Sequence, residues 1–513
     1  MPLTEMVLRV ADEYPDRPAI VADGQRLTYA GLVADSRRVI AAVRAAHAAQ
    51  PNPPIPARET GGIPITAVST TSAFHTARIV AGLAGYRAVS ATIDPRWPLA
   101  HQVSVIVTTG IGLVISDSAE LAAALRAAAW TGQVLPLAGF RRREAEFSSH
   151  AGTLPTAERP TAERPTVRDG TEPFLMLFSS GTTRNPKAFL KSRAQYRANF
   201  SISSAHLEPL PGVVTLAPGP VSYSLTLYAL IECLASGGTA CLADAFDPIE
   251  TGQTIARESV TRMVVVPAMV QALAYAARRD PQRFATLQLI VTGGANLSEK
   301  IRRLLDETMP GVRLISYYGA AEIGFIGDSR SGNGTLINVY DGVLAQVRPN
   351  DDALGTIWIK AAACSAGYLA GTTPEVLLGT DGWATVHDQG RWVDGQLQLA
   401  GRAGDIAITG GHKVSLTEVE RAFDGMAGLG SVCAIAIPDA RMGSVIALVI
   451  EKDSATGVLT KDDLAAVARE SLAPQFVPHQ WYAVGELPRT VGGKIRRGAT
   501  AELVRERIDV DRL

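Results

Sequence analysis

Residues 174–191 read FLMLFSSGTTRNPKAFLK, and residue types in that order could hold phosphate. The apolar run 174–178 predicts a short buried strand. Ser179, Ser180, Gly181, Thr182 and Thr183 follow as small hydroxyl residues hinged on one glycine. Arg184, Asn185, Pro186 and Lys187 come next, before apolar character resumes. Backbone N–H groups and hydroxyls on such a loop converge on phosphate oxygens, and a lysine adds a compact positive charge. The same composition also makes an ordinary polar turn. This stretch alone leaves both readings open.

Other stretches carry chemistry further along. Tyr317, Tyr318, Gly319, Ala320, Ala321 and Glu322 follow an apolar run and end in an acid suited to a magnesium ion. Asp388 sits in TVHDQG, Arg402 in LQLAGRAGD, and Lys494 in LPRTVGGKIRR, between glycines and arginines. Each has a plainer reading when taken singly. Glu322 could be a surface acid, Asp388 a turn residue and the Lys494 stretch a solvated basic turn. Lys494 is not the lysine of a Walker loop, because Ile495 follows it and no glycine stands five residues before Gly493.

The elements that position these residues can be read from length and pattern. A chain of 513 residues has room for about three domain-sized units. Hydrophobic residues make up 47%, enough for a sizeable core. A net charge of −1 provides no electrostatic footprint for nucleic acid or an anionic membrane, so neither is expected as a partner. Cys233, Cys241, Cys364 and Cys433 lie far apart with no C-x-x-C, which argues against a disulfide framework or zinc site and for a reducing cytoplasm. The first residues carry acids early and lack the apolar core of a signal peptide, and no run of about 18 apolar residues occurs. A soluble cytoplasmic chain is expected.

Residues 1 to about 50 read as helical, with a strand-like RLTY at 26–29. Strand-like and helical patterns then alternate (ITAV, ARIVAGLAGY, AVSATID, GLVIS), which predicts parallel βαβ units. Residues from about 147 to 172 contain PTAERPTAERPT, a tandem charged, Pro-rich repeat expected to be a mobile surface linker. After the opening loop, alternation resumes through VVTLAP, LTLYALIECLA, TACLA, MVVVP, LIVTGG and VRLISYYG. From about Thr335 short strands with turns predict a small antiparallel β subdomain, and from Gly401 a compact α+β tail follows. The turn-rich AGRAGD suggests a boundary, giving domains at 1–402 and 403–513.

Laid in order, these stretches, with ATIDPRWP at 91–98, resemble the adenylate-forming superfamily of acyl-CoA synthetases, peptide-synthetase adenylation domains and luciferases. The resemblance covers essentially the whole chain. It implies an α/β fold: a large N-terminal domain of two α/β subdomains plus a small β subdomain, then a small mobile α+β C-terminal domain. It also implies ATP-dependent, Mg2+-assisted adenylation of a carboxylic acid, followed by transfer to a thiol of CoA or a carrier protein. By that resemblance Ser179, Ser180, Gly181, Thr182, Thr183 and Lys187 order the β- and γ-phosphates. Gly293, Gly294 and Ala295 lie against the adenine, Tyr318 stacks on it within a motif that includes Gly319 and Ala321, and Glu322 binds Mg2+. Asp388 accepts the ribose hydroxyls, Arg402 reaches the ribose, and Lys494 bridges the acyl carboxylate and the α-phosphate. Tyr223 and Tyr228 fall where the family gates and floors its acid pocket; the alternative is that they are core aromatics.

Five departures bear on the second step. Arg184 and Ala188 replace the loop's usual glycines, and Ala321 lacks the hydroxyl expected before the glutamate. Gly404 stands at the hinge position, and His387 replaces the glycine before Asp388. No aspartate in APGPVSYSLTLYALIECLASGG is placed to meet an amino-acid ammonium, so a fatty or aryl acid is expected. No carrier domain is evident, which suggests a freestanding ligase. Two alternatives stand beside it. One is adenylation with a different acceptor or acid, as in an amide synthetase or a nitrite-activating diazotase acting on an arylamine. The other is a non-catalytic nucleotide-binding relative.

Overall fold

Apolar runs without polar alternation are buried on both faces, and here they form the parallel strands of two sheets. The strands Ile65–Val68, Val89–Thr92, Arg262–Val265 and Leu289–Thr292 are buried at every position. In a computed structural model the structure is described for residues 2–149, 164–179, 186–295, 297–332, 334–349, 354–409, 412–424, 426, 428–439, 441–452, 459–490 and 493–513. The chain divides into two compact units, each assembled from several segments. One holds residues 1–294, 308–326 and 361–384, the other 295–307, 327–360 and 385–513.

The first unit contains both parallel sheets. One runs in the order Gln133–Leu135, Leu113–Ile115, Ile65–Val68, Val89–Thr92, Pro173–Ser179, Lys187–Ser192, parallel until its last, antiparallel pair. The other runs Arg313–Ala320, Leu289–Thr292, Arg262–Val265, Val214–Ala217, Thr239–Leu242, Pro18–Ala22, Gln25–Thr28, again with one antiparallel pair at the end. Helix Ala73–Leu83 packs against helices Tyr29–Ala48 and Ser224–Ser236 and against strand Pro18–Ala22, which buries it on nearly all sides. The two α/β subdomains that the family resemblance implies are thus present. Pro18–Ala22 was not anticipated, because PAIVA is too short and too uniformly apolar to show a period.

Burying a charge inside such a helix requires partners on several elements. Arg78, 3% exposed, donates through Nη1 and Nη2 to both oxygens of Glu144 at 2.8 Å, through Nη1 to Asp35 at 2.9 Å, and through Nε to His75 Nδ1 at 3.0 Å. That fork ties helices Tyr29–Ala48, Ala73–Leu83 and Leu137–Ser149 together. Residues 147–149 of the expected linker finish the last of these helices. Residues 164–172 are tied down: Thr166 N donates to Gly85 O at 3.1 Å, and Glu172 pairs with Arg168 at 2.7 Å and Arg193 at 3.1 Å. Most of the TAERP repeat lies outside the described residues.

The second unit contains an antiparallel sheet, ordered Leu344–Arg348, Gly355–Lys360, Asp388–Val393, Gln396–Arg402, Leu336–Val339, as the turn-rich sequence predicted. Its α+β tail packs Val419, Leu448, Ile450, Leu464 and Trp481 into one core behind the strands Val432–Asp439, Gly443–Glu451 and Gln480–Val484. Among the described residues no helix is long and apolar enough to cross a membrane.

The Arg78 fork yields a stability prediction. Arg78→Leu strips Glu144 of its bidentate partner and leaves Asp35 with Arg38 at 2.9 Å in place of two cations, and should cost about 3–5 kcal/mol. A large fall in the urea midpoint of the first unit is the expected reading, and an unchanged midpoint would refute the fork's importance.

Candidate active site

Strands Pro173–Ser179 and Lys187–Ser192 form a hairpin whose register sets Ser179 opposite Lys187. Ser180, Gly181, Thr182 and Thr183, with Arg184 and Asn185, lie outside the described residues. Lys187 Nζ pairs with the Glu375 carboxylate and lies 5.4 Å from the centre of the Tyr368 ring. The Tyr368 hydroxyl donates to Glu322 Oε1 at 3.1 Å, and Glu322 itself is only 6% exposed. Lys187 is thereby joined to Glu322 through one aromatic ring.

Four residues after Lys187, on the same face of the strand, comes Lys191. It is 3% exposed, and its ammonium donates to the main-chain oxygens of Glu322 at 2.8 Å and Ala363 at 2.7 Å. Burial pushes its pKa down to about 8, with Cys364 and Glu322 opposing. Glu322 is held from two sides, by its carboxylate and by its carbonyl.

Tyr318 and Gly319 end the strand Arg313–Ala320, which runs parallel to Leu289–Thr292 with Ser316 beside Thr292. Gly293 follows immediately. A Cβ there would stand 2.3 Å from the Tyr317 ring, so only glycine admits that ring. Gly294 takes φ 79°, and Ala295 begins a segment of the second unit. Ala321 and Glu322 lie in the turn after the strand, and Ser365 N donates to Glu322 O at 2.8 Å.

Four buried hydroxyls in this unit, Ser69 Oγ, Ser179 Oγ, Thr292 Oγ1 and Ser365 Oγ, have no hydrogen-bond partner among the described residues. Buried polar groups rarely stay unsatisfied unless a ligand or water completes them. No group of three acidic, His or Cys side chains that could cage a metal occurs among the described residues. The buried carboxylate of Glu322 suits Mg2+. That ion keeps several waters and binds through one or two carboxylates and substrate phosphates.

In the second unit, register sets Asp388 opposite Arg402, and Arg402 Nε meets Asp388 Oδ1 at 3.3 Å. His387 takes φ 64°, so the backbone keeps a glycine's conformation with a non-glycine residue, at a cost of about 1 kcal/mol or more. Asp405 accepts from Arg402 N at 3.3 Å through one oxygen and from Arg497 Nε at 2.7 Å through the other. Arg497 also pairs with Glu420. Lys494 belongs to a closed turn, its N–H donating to Thr490 Oγ1 at 3.1 Å and its carbonyl accepting from Thr490 N at 2.7 Å. Loss of solvation and the Arg402 charge hold the Lys494 ammonium below the usual lysine range, with Asp388 opposing. Asp388, Arg402 and Lys494, 106 positions apart in sequence at the extremes, are electrostatic neighbours.

Tyr223 caps helix Ser224–Ser236, and burial with the nearby Asp94 pushes its hydroxyl up to about 12, with Arg96 opposing. Tyr228 lies further along the helix with its hydroxyl 3.1 Å from Ser203 Oγ. Sequence reasoning did not find Lys191, Tyr368, Glu375 or Arg497. The one local signal was a lysine inside the otherwise apolar pattern AFLK.

The sequence profile described as "AMP-binding enzyme" matches residues 7–369, and "AMP-binding enzyme C-terminal domain" matches residues 418–494. The chain belongs to the AMP-binding enzyme family. Among curated relatives of this AMP-binding enzyme, the uncharacterized acyl–CoA ligase YhfT of Bacillus subtilis is 26% identical over 99% of both chains. FadD10 of Mycobacterium tuberculosis, a medium/long-chain fatty acid–acyl-carrier-protein ligase, is 26% identical over 64% of this chain and 66% of that protein. The amide bond synthetase McbA from Marinactinospora thermotolerans shares the fold, with a TM-score of 0.79, 20% identity, and coverage of 98% of this chain and 99% of that one.

Lys191 provides a pH test. The folded chain releases this proton near pH 8, while an unfolded lysine holds it to 10.5. The folded state therefore binds fewer protons between those values, and the stability contributed at Lys191 rises with pH across that window. Measured against Lys191→Met, the wild type should gain about 2 kcal/mol between pH 7 and pH 9.5. A difference that stays flat or falls would refute the buried ammonium.

Proposed function

We propose that this AMP-binding enzyme adenylates a carboxylic acid with ATP, releases pyrophosphate, and passes the acyl group to a thiol or an amine. The observation that carries the reading is the Asp388, Arg402 and Lys494 group, in which a lysine of lowered pKa has a second cation and a carboxylate as electrostatic neighbours. An acid and a nucleotide repel each other as they meet. A cation placed between them offsets that repulsion and stabilises charge developing on the α-phosphate.

In the first step a carboxylate oxygen of the acid attacks the α-phosphorus, and the bond to pyrophosphate breaks with its electron pair leaving on pyrophosphate. Lys494 carries the catalytic cation. Asp388, with Arg402 fixed beside it, accepts the ribose hydroxyls. Ser179 through Thr183 and Lys187 hold the outer phosphates, and Lys187 exchanges its Glu375 partner for them. Gly293, Gly294, Ala295, Tyr318 and Gly319 receive the adenine, and Ala321 lines the turn beside it. Bound at Glu322, Mg2+ would neutralise phosphate charge. Tyr368 holds that carboxylate and Lys191 the main-chain carbonyl of the same residue before nucleotide arrives. In the second step the acceptor's sulfur or nitrogen attacks the acyl carbon and AMP departs.

The domains at 1–402 and 403–513, a cytoplasmic location and a pocket wall at Tyr223 and Tyr228 belong to this reading. The thiol acceptor, CoA or a carrier protein, is supported by relatives such as YhfT and FadD10. An amine acceptor is the second reading, favoured by Ala321, which cannot donate the hydroxyl expected there, and by the likeness to McbA.

Acid-dependent exchange of pyrophosphate into ATP tests the first step. Lys494→Ala should lower its rate by about a hundred- to a thousandfold with little change in ATP affinity. Exchange that survives this substitution, or that no acid supports in the wild type, would overturn the reading. AMP release measured with CoA against an arylamine separates the two acceptors.

A further inference from the structure

We infer that the acid this enzyme activates is compact, an aryl or short acid rather than a long-chain one, because an aromatic wall closes the crevice where it would lie. The inference rests on the adenylation reading and deepens it. In open α/β sheets ligands occupy the crevice outside the carboxyl ends of the strands. Gly293 and Tyr318 stand at those ends, and helix Ser224–Ser236 starts at the same edge, after the strand Val214–Ala217. Tyr223 marks the helix's outer end, and Tyr228 lies five residues deeper, about 7.5 Å along the axis. That depth suits a benzoate-sized acid and falls well short of an extended dodecanoate.

At that depth the crevice is blocked. The Tyr228 and Tyr317 rings both meet Phe325 edge-on, with centres 4.9 and 4.8 Å apart, and Tyr196 closes against Tyr228 at 5.6 Å. Tyr228 and Tyr317 keep part of their surface in solvent, whereas Phe325 and Tyr196 are each 6% exposed. Phe325 and Tyr196 thus lie deeper than the two tyrosines.

Behind them lies a charged pair. Arg262 and Glu232, each 2% exposed, meet at 2.7 Å, and Arg262 Nε also donates to Leu207 O at 3.0 Å. Glu232 is one turn beyond Tyr228 on the same helix face. Its Oε1 is buried without a partner among the described residues. An alkyl chain pushed past the tyrosines would strip that carboxylate of any water it holds and return no hydrogen bond, so this floor also disfavours extension.

The test is pyrophosphate exchange by the full-length enzyme across straight-chain acids from butanoate to dodecanoate, with benzoate and cinnamate. The wild type should favour benzoate or hexanoate over dodecanoate by about a hundredfold or more in kcat/KM. Tyr228→Ala should narrow that ratio at least tenfold by admitting longer acids, and Tyr228→Phe, which keeps the ring, should preserve it. Far-ultraviolet circular dichroism confirms that each variant is folded, and Phe325→Leu serves if Tyr228→Ala is not. Dodecanoate activated as well as benzoate by the wild type, or a ratio unmoved in every folded variant that opens the wall, overturns the compact-acid inference alone. Exchange with no acid of any length overturns adenylation itself, and this inference with it.

Discussion

A carboxylate almost out of water dominates the first unit. Glu322 keeps 6% of its surface exposed, and an isolated anion so placed would take up a proton or draw in a partner. Tyr368 holds its side chain and Lys191 its main chain, and neither contact survives a shift of the turn that carries it. That turn follows Tyr318 and Gly319 directly, so fixing Glu322 also fixes the end of the strand where Gly293 meets the Tyr317 ring. The same Tyr368 ring lies under the Lys187 ammonium. One anion thus sets the positions of a lysine, an aromatic edge and a glycine turn.

The second unit solves an opposite problem, the concentration of positive charge. Arg402, Lys494 and Arg497 would repel one another without Asp388, Asp405 and Glu420 interleaved among them. Asp405 is shared between the Arg402 main chain and the Arg497 guanidinium, which joins the end of the strand Gln396–Arg402 to the start of helix Arg497–Glu506. Lys494 sits three residues before that helix, so its closed turn is anchored at the base. Loss of solvation, with the Arg402 charge beside it, lowers its pKa, so its proton is held less tightly than that of a solvated lysine.

Behind these charged groups the core is uneven in kind. Aliphatic residues fill both sheets, but the crevice at the strand ends is lined by rings and backed by a buried Arg262–Glu232 pair. A buried ion pair contributes little net stability compared with apolar residues of similar size, so its presence beneath the crevice points to a constraint on what lies above it.

Much of this was readable in the residue string. Strand–helix alternation, the donor-rich loop after an apolar run, and the separate turn-rich segments each rest on local pattern, and local pattern is what a linear string records. Phosphate and metal chemistry also select residue types at short spacing, so Lys187, Glu322, Asp388 and Lys494 stood out before any contact was known. Lys191, Tyr368, Glu375 and Arg497 did not, because their roles come from partners more than 40 residues away and no spacing announces those pairings. Likewise nothing in LTLYALIECLA distinguishes a pocket-closing tyrosine from a core one. Only the packing of Tyr228 against Phe325, nearly a hundred residues later in the chain, supports the proposal that it is a wall. Sequence determined which chemistry was possible and on which elements. Tertiary structure decided how deep the crevice runs and which charges answer one another, since both depend on distances that close only when the sheets form.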